Sequence, residues 1–303
     1  MHPAPIAARK KSFLAGPLCY QREMIKSAVT VSLVPQLRGG PFVYWDDLRA
    51  AFASASELGF DAVEIFPPSP EAVAPEIVRP LMQRYGLEVA AVGTGAAWVA
   101  HRLHFAHPEA GVREQALAYA RRIVDAAAAL GTQAIIGSIQ GKYEGEVSRG
   151  QAIGWLGEAV AVLGEQAAGH GRTLLYEPLN RYETNLFNRL SDAAEFLAEL
   201  GAPNVRILAD MFHMNIEETS VPLALRAAGA AVGHFHFADS NRHAIGFGHT
   251  DVAPIATELR EMGFQGYVSG EVLPLPDSES AAAQTLRAFR TFFPREPAAA
   301  HES

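Results

Sequence analysis

The chain has 303 residues, 49% hydrophobic and 19% charged, enough to bury the core of one large domain. Its formal charge of −8 and scattered Lys and Arg argue against a surface built to hold phosphate backbones, so no nucleic-acid partner is expected. The single cysteine, Cys19, excludes an internal disulfide and suits a reducing cytoplasm, and no run of about 18 apolar residues is present to span a membrane.

Residues 1–23 carry basic residues, prolines and the short apolar stretch FLAGPLCY, but no steady period. That stretch is short for a signal-peptide core and no small-x-small cleavage site follows, so an extension or upstream start ahead of Met24 is expected. From Met24 onward, short β-branched or apolar runs alternate with alanine-rich, helically periodic runs, the pattern of repeated βα units. Strands are predicted at Ala28–Leu33, Ala62–Phe66, Glu88–Val92, Ala134–Gly137, Thr173–Glu177, Val205–Asp210, Val232–Phe237 and Gly266–Val272. Helices are predicted near Trp45–Leu58, Pro75–Tyr85, Pro108–Leu130, Gln151–His170, Ser191–Leu200, Val221–Ala228, Val252–Met262 and Ser278–Phe292. Eight parallel strands can close on themselves and so remove both exposed edges. The expected fold is α/β, a single-domain (β/α)8 TIM barrel over 24–294, with 295–303 as a C-terminal tail. No Gly-x-Gly-x-x-Gly follows the first strand and no P-loop occurs, which removes the nucleotide-binding open sheets.

Four strand ends in the second half carry metal-type ligands: LLYE at Glu177, RILAD at Asp210, GHFHF at His236 and YVSGE at Glu271, spaced by 33, 26 and 35 residues. In a barrel this rhythm brings all four to the C-terminal mouth, where active sites lie. Three carboxylates and an imidazole at one point repel unless a hard divalent cation sits among them, and an O,O,N,O set suits Mn²⁺, Mg²⁺ or Co²⁺ better than a thiolate-type zinc site. Each residue alone has a plainer role: Glu177 an ion pair, Asp210 a helix or turn cap, His213 a packed loop histidine. His234 and His236, two apart on a strand, share a face. The one nearer the mouth, His236, is taken as the ligand and His234 as a hydrogen-bonding core histidine. Arg242 reads as a clamp on a substrate oxygen or a surface ion pair, and Gly270 as a position that lets backbone or ligand approach.

The segments YEPLNRYETN, LADMFHMNIEE, GHFHFADSNR and SGEV resemble, in order and interval, the motifs of the xylose-isomerase-like sugar isomerases and epimerases, and within them the ketose 3-epimerases of the D-tagatose and D-psicose (allulose) type. The resemblance covers almost the whole chain after Met24. It implies a divalent metal, usually Mn²⁺, held by Glu177, Asp210, His236 and Glu271, with Glu183, His213 and Arg242 binding the O1 to O3 end of a sugar. It also implies deprotonation and reprotonation at C3 through a cis-enediolate, with Glu177 and Glu271 on opposite faces, in a cytoplasmic homodimer or homotetramer. Glu64, Phe66, Trp98 and Tyr143 are candidate walls for the substrate, each equally readable as a packing residue or as support behind the site. The loop HAIGFGHTDV departs from the family, which more often has a Pro-Gly turn there, so the reaction class is better specified than the sugar. No phosphate cradle is visible, which favours a free keto-sugar. The rival readings on the same metal site are an aldose–ketose or hydroxypyruvate-type isomerase and a keto-sugar lyase or hydratase. More remote are a sugar-binding barrel without turnover and an endonuclease IV-like DNA repair enzyme, which needs more ligands and a basic groove.

Overall fold

The computed structural model describes residues 25–295. The expected N-terminal extension, with Cys19, lies outside the described residues, as does all of the expected tail but Arg295. Eight parallel strands form the barrel: β1 Lys26–Ser32, β2 Ala62–Phe66, β3 Glu88–Gly93, β4 Gln133–Ile136, β5 Leu174–Tyr176, β6 Val205–Asp210, β7 Val232–His236 and β8 Tyr267–Gly270. Each pairs with the next, and β8 returns to β1 from Lys26↔Tyr267 to Val29↔Gly270. Above Gly270 a two-residue strand, Tyr44–Trp45, takes over that edge of β1 by pairing with Val31 and Ser32. Thr30 Oγ1 marks the handover, donating to Gly270 O and accepting from Val43 N.

The helices are α1 Leu48–Leu58, α2 Pro75–Tyr85, α3 Ala96–His101, α4 Ala110–Ala129, α5 Arg149–Gly169, α6 Leu190–Leu200, α7 Met211–Glu217, α8 Val221–Ala228, α9 Val252–Glu261 and α10 Ser278–Phe292. Short polar side chains start many of them by accepting orphan N–H groups: Asp47 for α1, Ser220 for α8, Asp251 for α9 and Asp277 for α10. Ser148 and Gln151 form a reciprocal capping box on α5. Two short helices, α3 and α7, add to the eight read from the sequence, and His213 sits on α7 rather than in a loop. Among the described residues no helix is long and apolar enough to cross a membrane.

Strand alternation divides the buried residues into two sets. Val29, Val31, Val63, Ile65, Leu174, Tyr176, Ile207, Phe235 and Val268 face outward and pack with Phe52, Ile123, Leu156, Leu163 and Leu286 of the helices. Each such side chain contributes about 1.5–3 kcal/mol on burial, so this outer layer holds the ring of helices. The opposite parity fills the lumen: Ala28, Ala62 and Ala90 against Tyr267, and Phe66, Ile135, Leu175 and Leu208 with Phe42. Glu64 lies two residues after Ala62, Glu177 two after Leu175, Asp210 two after Leu208 and Glu271 four after Tyr267. The same period that builds the core thus sends these acidic side chains to the interior.

Candidate metal centre and active site

The ends of β5 to β8 place Glu177, Asp210, His236 and Glu271 together, all buried. His236 Nδ1 lies 3.6 Å from Glu177 Oε1, 3.4 Å from Asp210 Oδ2 and 3.5 Å from Glu271 Oε2. Octahedral ligands at about 2.1 Å from a small divalent ion stand about 3 Å apart, so a slight contraction of this hole would seat one. The three hard oxygens and one imidazole nitrogen fit such an ion in chemistry as well as in spacing.

Electrostatics describe the same centre. Burial, reinforced by the Glu271 and Asp210 carboxylates, pushes Glu177 well above the ordinary carboxyl range despite His236 and Arg242. Burial would lower His236, but Glu64 and Glu271 outweigh it and raise the ring well above the usual imidazole value. Asp210 goes the other way: burial opposes its charge, yet His213, His236 and Arg242 hold it well below the carboxyl range. Glu177 and His236 are thereby biased toward their protonated forms and Asp210 toward its charged form.

Asp210 reconciles two readings of its sequence position. Its Oδ1 caps α7 by accepting from Phe212 N (2.7 Å) and His213 N (3.2 Å), leaving Oδ2 free to face His236. Glu177 is fixed from behind by Gln140, whose Nε2 donates to Glu177 O (2.9 Å) and Gly137 O (3.0 Å) while its Oε1 accepts from Tyr176 Oη (2.8 Å). A Cβ on Gly137 would stand 2.6 Å from Glu177 Oε2. Gly137→Ala is therefore expected to displace that carboxylate and cut kcat/KM about 100-fold, the scale set by misplacing a reacting group by about 1 Å, with the circular-dichroism spectrum of the barrel retained.

The first turn of α7 carries His213, whose Nδ1 accepts from Asn180 N (3.3 Å) and Asn180 Nδ2 (2.7 Å). The proton of the neutral ring is thereby placed on Nε2, which faces Asp210 Oδ2 at 3.7 Å and Glu177 Oε1 at 3.9 Å. Burial holds His213 below the ordinary imidazole value, the Asp210 charge only partly offsetting it. Asn180 also donates to Glu183 Oε1 (3.0 Å). Asn180 and Gln140 are thus supporting residues that no period in the sequence marks.

Arg242 is no surface ion pair: its side chain is 16% exposed. Its guanidinium pairs with Glu271, lies 3.5 Å from Asp210 Oδ2 and 3.8 Å from Glu183 Oε1, and stacks over Phe212. The backbone there is left-handed, φ 60°, held by Arg242 N donating to Asp239 O and Leu273 N donating to Arg242 O. Buried Asp239 organises the loop that departs from the family, accepting from the backbone N–H groups of Ser240, Gly246 and Thr250. A Cβ on Gly248 would lie 2.2 Å from that carboxylate.

Above the centre opens a cavity of about 380 Å³ whose walls include Phe66, Trp98, Glu177, Glu183, His213, Arg242 and Glu271. Two expected wall residues do not line it. Glu64, one layer lower than Phe66 on β2, is fully buried beneath His236, accepting from His236 Nε2 (2.8 Å) and His234 Nε2 (2.6 Å). Burial works against its charge, but the two imidazoles overcome that and keep it well below the carboxyl range. Tyr143 packs on the outer core, with its backbone N–H and C=O bonded to the Asn185 side chain, and Lys142 lines the cavity instead. Gly270 admits no ligand either: a Cβ there would meet Thr285 Cγ2 of α10 at 2.5 Å, so its smallness serves helix packing.

Fold and site together define a (β/α)8 protein with a carboxylate–histidine centre at the C-terminal mouth of its strands. The Xylose isomerase-like TIM barrel family model matches residues 52–292, and the chain belongs to that family. It is similar to the L-ribulose 3-epimerase of Methylomonas sp. (strain DH-1), 29% identical over 249 residues that cover 81% of this chain and 85% of that one. It is 38% identical to the 3-dehydro-D-guloside 4-epimerase of Escherichia coli (strain K12) over 111 residues, 37% of this chain and 42% of that one. The crystal structure of D-allulose 3-epimerase from Methylomonas sp. in complex with D-allulose matches with a TM-score of 0.77 at 25% identity, covering 89% of this chain and 98% of that one.

Proposed function

We propose that this protein is a divalent-metal-dependent ketose 3-epimerase acting on a free keto-sugar. One observation carries the reading: of the four convergent groups, only Glu177 and Glu271 line the cavity, and they come from β5 and β8, the strands flanking β6 and β7. Asp210 and His236 come from the two strands between them and do not line the cavity. Two carboxylates on two sides of one bound carbon are what inversion by proton transfer needs. The similarity to proteins named as 3-epimerases supports the same reaction.

The C2 carbonyl of a ketose acidifies the proton on C3. One glutamate takes that proton from C3, leaving a planar cis-enediolate, and the other carboxyl delivers a proton to the opposite face; the substrate epimer decides which acts first. The Arg242 guanidinium and His213 Nε2–H point donors at the same volume, where they would bind the oxygen on C2 as it gains charge. Glu183, oriented by Asn180, would accept from a sugar hydroxyl, and Phe66 and Trp98 close off the remaining space. Glu177, Asp210, His236 and Glu271 would hold a divalent ion such as Mn²⁺, Mg²⁺ or Co²⁺, which would supply positive charge to stabilise the enediolate.

A second reading is favoured by the similarity to the 3-dehydro-D-guloside 4-epimerase. The same two carboxylates would then exchange the C4 proton of a 3-keto sugar. Metal-reconstituted protein incubated in D₂O with free ketoses and 3-keto sugars separates the two by NMR. Deuterium at C3 with appearance of the 3-epimer is expected; deuterium at C4 of a 3-keto sugar selects the second reading, and formation of aldose alone overturns both.

A further inference from the structure

Beneath the candidate centre the proton-transfer chemistry leaves a buried cluster unused. Glu64, His234 and His236 have side chains with no exposure, and they meet across the lumen, Glu64 from β2 and both histidines from β7. Partners 170 and 172 residues apart join strands that are not neighbours in the ring. Room for them comes from the layer below, where β1, β2 and β3 present only Ala28, Ala62 and Ala90.

Two imidazoles and a carboxylate would suit a second metal ion by composition. Their spacing is instead that of two direct hydrogen bonds, Glu64 Oε2 to His234 Nε2 at 2.6 Å and Glu64 Oε1 to His236 Nε2 at 2.8 Å, both shorter than the roughly 3 Å between neighbouring ligands of a small divalent ion. Each oxygen of Glu64 therefore accepts from one ring. A ring with its hydrogen on Nε2 is free to present a lone pair at Nδ1, and in His236 that atom faces Glu177, Asp210 and Glu271. Because Glu64 is gripped at both oxygens, its carboxylate cannot turn about its last bond without breaking a buried hydrogen bond.

We propose that Glu64 is a positioning residue that fixes the tautomer and ring plane of His236 for metal binding, and that His234 is the anchor that holds Glu64 in place. The proposal rests on the metal-centre part of the function proposed above, but on no substrate. It assigns a role to a side chain that touches neither the cavity nor the ion.

The test is calorimetric titration of the metal-free full-length protein with MnCl₂, alongside its melting temperature in chelator. Glu64→Gln is expected to weaken Mn²⁺ affinity about 10- to 100-fold, the usual effect of removing a carboxylate behind a metal-bound histidine. His234→Ala should weaken it less, and His234→Gln, which restores a donor at the Nε2 position, should recover most of the loss. If Glu64→Gln cannot be isolated folded, the Ala and Gln variants of His234 decide by the same readout. Wild-type affinity in Glu64→Gln, or in His234→Ala where that pair must decide, overturns the proposal even if the metal-free protein melts lower, since a merely structural role would change melting and not affinity. Wild-type protein that binds no divalent ion overturns the metal centre itself.

Discussion

Glu177→Gln and Glu271→Gln are each expected to abolish conversion between C3 epimers, lowering it by at least the 10²- to 10⁴-fold typical of a lost general acid or base. Glutamine keeps the length and most hydrogen bonds of glutamate but neither takes nor gives a proton at neutral pH, so the barrel should fold. Both residues also contribute oxygens to the candidate ion site, so the comparison requires saturating metal. Their positions on β5 and β8 make the result directional. Each variant retains one carboxylate, which can still remove and return a proton on its own face. Exchange of the C3 proton with D₂O is therefore expected to survive only for the epimer whose C3–H faces the remaining glutamate, with no product of opposite configuration. NMR of each pure epimer in D₂O reads this. Epimerisation at the wild-type rate in either variant would refute the two-glutamate mechanism.

What could be read from the residues follows from what sets each position. The barrel and the four convergent side chains depend on strand rhythm and on the period of two, both local and therefore visible in the chain. Glu64 has the same parity and was singled out, but its depth depends on barrel closure: only then does it face His234 and His236, and the sequence contains no local sign of that encounter. Gln140 and Asn180 act through backbone atoms and a ring nitrogen of residues far along the chain, and a lone amide in a polar loop carries no period to reveal this. Helix α7 has no loop to announce it, since it starts directly off β6 with Asp210 at once the last strand residue and the helix cap. Tyr143 packs on the outer core rather than the cavity because side-chain direction in a loop depends on its turns, and Gly141, at φ 75°, bends the chain just before it.

Removing the divalent ion with a chelator is expected to abolish turnover and to lower the melting temperature by an amount that grows with pH. In the metal-free fold Glu177 and His236 are both raised above their ordinary values of 4.5 and 6.5. A group raised in the folded state contributes stability below its unfolded value and loses it as pH rises through the folded one. Both therefore weaken the metal-free protein on the alkaline side, where the fold must surrender protons that separated its charges. Asp210, held below its ordinary 3.8, acts oppositely: its contribution is present at neutral pH and lost only in acid. A bound cation replaces the protons on Glu177 and His236, so binding releases protons and affinity climbs with pH. With free ion at 100 times its Kd the folded state gains about 2.7 kcal/mol, and at about 2–4 °C per kcal/mol for a large domain this is a shift of several degrees. Melting of chelated and Mn²⁺-loaded protein in a buffer series from slightly acid to alkaline tests the sign. A gap that widens with pH is the expected result, and one that narrows would mean that protons on these two groups do not occupy the place of the ion.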